Sequence, residues 1–524
     1  MSETAAAPSS IVRSSSVVAL GTLLSRLTGF LRLFATRWAI GYAGLADTYT
    51  LANNTPNIVY ELVLGGVLSA TLVPIFVHHS EMDDDEGTSA VISVAMAGLI
   101  ALTVVGILAA PLLVRLYTMT ADGEIAGEQR EVATSLLRLF MPQMLFYGLT
   151  AMGTALLNAR RRFAAPAFAP ALNNLLVMAI VISLPVVAGD HPTLGDVRND
   201  SALLLLLGLG TTAGIVAMTV ALLPAIRRSG FRFKWNPDLK NPAVREVGKM
   251  SGWTLGYVLA NQASLFVVLL LANRQQGGPS TYAAALIFFQ LPHALVAVSL
   301  MTTIVPELAT ASTRADWSRY RQQFSLGIRL MALIILPAAT GYVVLGEPIA
   351  HLLKFGAVTG RQADLIGDNL ALFGLGLFGF SVYLYTLRGF YALRDTRTPF
   401  FVNLFENAVN IGAAFALEPV LGVPGLALAY GIAYTSAAVV ALIALRRRVG
   451  LLDGRRTARS LAPIVLACVL MAGCVTAAIE QVGDSNLLQT AVGVVVGAVV
   501  FVVAILALRV EEVDTLRARL LRGN

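Results

Sequence analysis

The sequence predicts an all-α, polytopic membrane protein of about fourteen transmembrane helices: two pseudo-symmetric six-helix lobes plus two extra C-terminal helices. Composition is the first ground: 56% of residues are hydrophobic and 13% charged, with mean hydropathy +0.72. Soluble domains carry about 25% charged residues, so a chain this apolar has too little polar surface to stay dispersed in water. Spacing is the second. Apolar runs of about 20 residues, the length of a helix crossing roughly 30 Å of hydrocarbon, recur along the chain between charged or Gly/Pro clusters. The third is the concentration of cations in alternate loops.

The expected spans are 16–36, 47–77, 89–117, 132–157, 166–188, 201–226, 247–273, 280–311, 323–346, 363–391, 399–417, 423–445, 460–480 and 487–508. With the N-terminus inside, cytoplasmic loops and tails hold 26 of the 38 Lys and Arg, and external loops six, Arg37 and Lys354 among them. That bias places both termini in the cytoplasm. The net charge of +7 therefore reflects topology, and no nucleic-acid partner is expected. Residues 1–15 read as a cytoplasmic tail without a cleavable signal peptide. The lobes are 16–226 and 247–445, joined by a basic linker at 227–246; a basic loop at 446–459, spans 13 and 14 (460–508) and a tail (509–524) follow.

The lobes are read from an internal repeat. Arg161, Pro166 and Asn174 answer to Arg394, Pro399 and Asn407 at an offset of 233, and Leu68–Pro74 resembles Leu300–Pro306. Six spans per lobe make the repeats parallel, and two such lobes can rock about a central cavity. Prolines at 142, 170, 292, 306 and 337 lie in or near span interiors, where each removes a helix hydrogen bond.

Span 1 carries Thr22, Ser25, Gly29, Arg32 and Thr36 at steps of three and four, and Arg26 lies about 100° around the helix from Ser25. Span 2 repeats the pattern with Asp47, Thr50, Asn54, Asn57 and Glu61. A cation at the centre of a lipid-facing helix costs about 2.5–3.5 kcal/mol, so Arg26 and Arg32 call for water, a counter-ion or an anionic ligand. Asp47 and Glu61 are candidate counter-ions, which leaves a structural salt bridge as the alternative; the hydroxyls and amides can equally bond neighbouring helices. Arg329 and Glu406 are further intramembrane candidates in the second lobe.

Other patterns carry no chemistry. Gly374-Leu-Gly376-Leu-Phe-Gly379 matches a dinucleotide-binding signature but sits inside an apolar span with no preceding strand. His78-His79 followed by Asp83–Glu86 reads as a solvated loop. Cys468 and Cys474 share one apolar run and suggest neither a disulfide framework nor a metal site. No phosphate-binding loop, zinc-protease motif or nucleophile elbow occurs, so no enzymatic activity, cofactor or metal is expected.

Leu24-Ser-Arg-Leu-Thr-Gly-Phe-Leu-Arg32 resembles the MurJ (MviN) family of lipid II flippases, within the superfamily of multidrug and polysaccharide exporters. The likeness continues through Pro56-Asn57, Gly65–Pro74, Leu157–Pro170, Gly327–Leu330, Lys354–Gly356 and Gly389–Pro399, and its pattern is similar to an actinobacterial branch. It implies a flippase moving a polyprenyl-diphosphate-linked peptidoglycan precursor by alternating access through a cationic cavity. Spans 13 and 14 would form a groove for the lipid tail, among membrane lipids and with cell-wall or division proteins as further partners. The positions matching the family's functional residues are Ser25, Arg26, Arg32, Asp47 and Asn57; Glu61 and Arg329 complete the candidate substrate-binding set. Leu33, Tyr60 and Ile287 stand in stretches where relatives carry charged residues, which makes this cavity less cationic. Two rival readings are an exporter of drugs or of another polysaccharide-linked lipid, and a non-transporting scaffold for cell-wall enzymes.

Overall fold

The computed structural model describes residues 8–60, 76, 79, 82, 84–119, 124–160, 162–245, 252–510 and 512. Its helices are α1 (Pro8–Ile40), α2 (Leu45–Tyr60), α3 (Asp85–Tyr117), α4 (Glu124–Phe140), α5 (Gln143–Ala159), α6 (Ala164–Ala188), α7 (Leu194–Asn199), α8 (Ser201–Val220) and α9 (Leu223–Arg228). The second half holds α10 (Gly252–Ala272), α11 (Gly278–Pro292), α12 (Val298–Thr313), α13 (Trp317–His351), α14 (Gly360–Ala392), α15 (Arg397–Leu421), α16 (Val423–Val449), α17 (Gly454–Glu480) and α18 (Asn486–Ala507). Among the described residues eleven helices are long and apolar enough to cross a membrane, and Gly256–Ala272 is a shorter apolar stretch. With α1, which contains the expected span 16–36, and α2, whose span 47–77 lies partly outside the described residues, this agrees with a multi-pass membrane protein of about fourteen spans.

The prolines explain where spans depart from single straight helices. The fourth span breaks between Phe140 and Gln143, because Pro142 cannot donate the next helical bond. The eighth carries a π-helical turn, His293–Ala297, directly after Pro292. Pro170, Pro306 and Pro337 stay inside helices. The first span also runs further than its apolar pattern suggested. Arg37, expected in an external loop, lies in the last turn of α1 and is 7% exposed. The helix continues to Gly41, whose φ of 69° ends it in the left-handed region that favours glycine.

The repeat is visible in the helix boundaries. α6 and α15 are both 25 residues long, and their starts and ends are offset by the same 233 positions as the matching residues. The chain divides into two compact units, Met1–Gly277 with Gly356–Val358, and Gly278–Phe355 with Thr359–Asn524.

In the first unit, Leu136, Phe140, Val181 and Leu207 are wholly buried between α4, α6 and α8. Of the stretch expected as a solvated loop, His79 is 7% exposed while Met82 is 69% exposed, and Asp84 accepts the Gly87 N–H at 2.8 Å to cap α3. Asp85 then meets Arg160 at 2.6 Å. Part of the basic linker docks on the same helix. Arg232, Lys234 and Asn236 donate backbone N–H groups to Asp85 Oδ2, Ser89 Oγ and Ser93 Oγ at 3.2, 3.2 and 2.9 Å. Two extended residues rise about 6.6 Å and four helical residues about 6 Å, so the alternate residues of one keep step with successive turns of the other.

In the second unit, α14 is gripped by α13 and α16 at glycines. A Cβ at Gly374 would meet the Ala339 carbonyl at 2.9 Å, and one at Gly376 would strike the Gly431 backbone. The sequence that imitates a nucleotide-binding loop is therefore a helix-packing surface, where small residues let backbones approach.

Candidate substrate site

The predicted site residues fall into two groups, one in each unit. Ser25, Arg26 and Arg32 lie on α1. That helix packs on α6 through Asn174, whose amide donates to the Ser25 carbonyl at 3.1 Å and to Thr28 Oγ1 at 3.2 Å. The contact is close at Gly29, where a Cβ would lie 3.3 Å from the same amide. Thr36 turns back to the Arg32 carbonyl at 2.8 Å. The Thr28 and Thr36 hydroxyls therefore serve packing and backbone bonds, which leaves the two guanidinium groups as the charged groups available for chemistry. Arg26 is exposed, Ser25 and Arg32 are half-buried, and neither arginine forms an ion pair among the described residues.

Asp47 is not the partner of either arginine. It is 3% exposed at the start of α2, and its Oδ2 accepts the Gly277 N–H at 2.6 Å. Gly277 has φ of 86°, and a Cβ there would meet the Tyr42 carbonyl at 2.8 Å, so glycine is required at this junction. Arg37 adds a second polar contact at the same end: it lies over the Tyr42 ring, 4.6 Å from its centroid. Asn57 is half-buried and donates to the Asn53 carbonyl at 3.2 Å. Glu61 lies outside the described residues.

Arg329 belongs to the other unit, on α13. Its Nε lies 2.9 Å from Glu512 Oε1, with both side chains almost fully buried. No local pattern could have found Glu512, which follows the last span. Glu406 is 1% exposed on α15, in line with its intramembrane position.

The same unit contains a groove of about 480 Å³ between α13, α17 and α18. Pro337, Leu345, Met471, Gly493 and Phe501 line it. Its polar side chains turn their hydrogens elsewhere: Thr340 donates to the Leu336 carbonyl at 2.9 Å and Tyr342 to the Phe288 carbonyl at 2.6 Å. What the groove offers is carbon, a surface suited to an acyl or prenyl chain.

A model of the family "Lipid II flippase MurJ" matches residues 38–492. The chain belongs to the MurJ family. A probable lipid II flippase MurJ of Rhizobium tropici is 28% identical over 518 residues, covering 95% of this chain and 94% of that one. The lipid II flippase MurJ of Burkholderia cenocepacia is 27% identical over 445 residues, covering 82% of each. Among solved structures, lipid II flippase MurJ in an inward closed conformation superposes with a TM-score of 0.76 at 19% identity, over 93% of this chain and 97% of that one. An inward-facing multidrug transporter of the MATE family, in the MOP superfamily, gives 0.65 at 14% identity over 83% and 96%. At these identities the structures establish a shared fold. For a MurJ-family chain, the two arginines of α1, without carboxylate partners among the described residues, and the carbon-lined groove are the features of greatest interest.

Proposed function

We propose that this protein moves a polyprenyl-diphosphate-linked peptidoglycan precursor from the inner to the outer leaflet of the bacterial cytoplasmic membrane, with both of its own termini in the cytoplasm. The observation that carries the reading is the match of the MurJ family model across residues 38–492. The geometry supplies the chemistry. An unshielded anionic head group entering hydrocarbon faces a penalty of tens of kcal/mol. Arg26 and Arg32, without ion-pair partners among the described residues, are suited to replace water around a diphosphate. The groove between α13, α17 and α18 is suited to the lipid tail. Asn57, Ser25 and Glu61 are proposed as secondary contacts, Asp47 as a support for the junction at Gly277, and Arg329 as a site that an anion reaches only by displacing Glu512.

Outward movement of an anion is favoured by an interior-negative potential, by about 2.3 kcal/mol per charge per 100 mV. The proposed cycle is therefore alternating access of the two lobes 16–226 and 247–445, driven by the membrane potential or an ion gradient. The test is depletion of the protein in its host, followed by a leaflet-resolved measurement of the lipid-linked precursor. The precursor should accumulate in the inner leaflet, and Arg26→Ala with Arg32→Ala should fail to restore export while reaching the membrane at normal levels. Full rescue by that double variant would favour a scaffold; an unchanged precursor distribution with new sensitivity to cationic dyes would favour a drug exporter.

A further inference from the structure

We infer that Glu347, His351 and Asp364 form a binding site for a divalent transition-metal ion of the zinc type. The site lies where the end of α13 meets the start of α14. Glu347 and His351 are four residues apart on α13 and share a face. Asp364 faces them from the first turns of α14, with its Oδ1 2.6 Å from His351 Nε2. One ligand atom from each of the three lies within 4.8 Å of the others.

Two features separate this group from an ordinary surface ion pair. The backbone fixes it: a Cβ at Gly346 would meet the Gly367 carbonyl at 2.8 Å, and one at Gly367 would meet Glu347 Cα at 2.8 Å. The helices therefore cross in near contact beside the cluster, and the donors cannot drift apart with them. The charges are also unbalanced. His351 is the one partner of Asp364 in an ion pair, whereas neither Glu347 nor Asp368, one turn beyond Asp364, has a hydrogen-bond or ion-pair partner among the described residues. A dication would neutralise this surplus.

The donor set names the class of ion. Zinc ligands stand about 2.0–2.2 Å from the metal, so three of them converge to roughly 3.5 Å of one another, a closure within reach of side-chain rotation here. One imidazole with two carboxylates suits zinc and its neighbours, whereas magnesium and calcium favour oxygen alone. Three protein ligands leave a fourth position to water. In the topology expected from the cation bias this end of α13 faces outward, so the ion would come from the external medium.

The test uses the full chain, purified in detergent through a tag without histidine, with zinc chloride as the probe. Equilibrium dialysis with metal analysis should give one saturable equivalent per chain, and zinc should raise the thermal unfolding midpoint. His351→Ala and Asp364→Asn should each weaken binding by about tenfold or more. Glu347→Gln, at an exposed position that leaves folding undisturbed, should also weaken it. A variant combining His79→Ala, Cys468→Ser and Cys474→Ser, which removes other nitrogen and sulfur donors, should bind as before, and millimolar magnesium should not compete. Absence of saturable binding, or equal binding by native protein and the Glu347 and His351 variants, would overturn the inference.

Discussion

Arg329 Nε and Glu512 Oε1 lie 2.9 Å apart, tying the middle of the second unit to the chain beyond α18, with side chains only 6% and 2% exposed. Ions this deeply buried depend on each other. Removing one partner typically costs about 3–5 kcal/mol because the other charge is left in low dielectric, whereas replacing both by apolar groups is often neutral. Arg329→Met should therefore lower the thermal unfolding midpoint strongly, and adding Glu512→Leu should restore most of it. If Arg329 acted mainly on the substrate, Arg329→Met would reduce export at unchanged thermal stability, and the double variant would gain nothing.

The docking of the linker on α3 rests on Ser89 and Ser93, both wholly buried, which accept the Lys234 and Asn236 N–H groups. An alanine at either serine leaves a backbone donor facing a surface with no acceptor. Such a group costs about 1–3 kcal/mol if it stays buried, so the segment should open instead. Hydrogen exchange at residues 232–236 should accelerate in Ser89→Ala with Ser93→Ala, with little change in the α14 core. Unchanged exchange there would mean that other contacts hold the linker.

What could be read from the sequence was local or periodic. Apolar runs bounded by charge gave the spans, two of the five prolines noted in span interiors, Pro142 and Pro292, fall where a helix is interrupted, and the offset joining Asn174 to Asn407 reappears in the limits of α6 and α15. Arg26 and Arg32 stood out because a cation inside an apolar run needs a reason at its own position. Long-range pairings were hidden. Nothing near Asp47 points to the Gly277 N–H, and nothing near Arg329 points to Glu512. The spacing of Asp85, Ser89 and Ser93, one residue per helical turn, was present in the sequence, but small polar residues at a helix start pass for ordinary capping and packing. Arg37 was misplaced because a buried guanidinium stacked on Tyr42 looks, in one dimension, like any loop cation.

Asp395, in the turn between α14 and α15, should confer a pH-dependent part of the stability. It accepts from the Thr398 N–H and Oγ1 at 3.0 and 2.7 Å and from the Arg397 N–H at 3.0 Å, and it lies 3.3 Å from Arg448 Nη2. Burial by itself raises this carboxyl; the Thr398 bonds, Arg448 and the Arg397 N–H outweigh it and hold the group below the usual carboxylate range. A folded-state value below the unfolded one means stabilisation that is complete above the ordinary carboxylate range and is lost as pH falls through the folded value. Asp395→Asn should therefore unfold at a lower temperature than the native protein near neutral pH, with the difference shrinking as pH is lowered toward about 3. A difference independent of pH would assign the effect to the shape of the turn and not to its charge.

Gly376 provides the sharpest test of how the second unit is assembled. It lies buried at the crossing of α14 and α16, where a Cβ would collide with the Gly431 backbone, and a Cβ at Gly379 would meet the side chain and Cα of Thr435 farther along α14. Flexible side-chain ends could yield to an added methyl; a facing backbone cannot, so the helices must separate. Overpacking of this kind typically costs about 1–3 kcal/mol. In an isolated helix the same change would be favourable by about 1 kcal/mol, since alanine has the higher helical propensity. Gly376→Ala should thus lower the unfolding midpoint despite that gain. Gly412→Ala, on α15 where a Cβ meets nothing within 4 Å, should leave the midpoint unchanged or raise it slightly. Equal behaviour of the two variants would show that the crossing is looser than the contact at Gly431 requires.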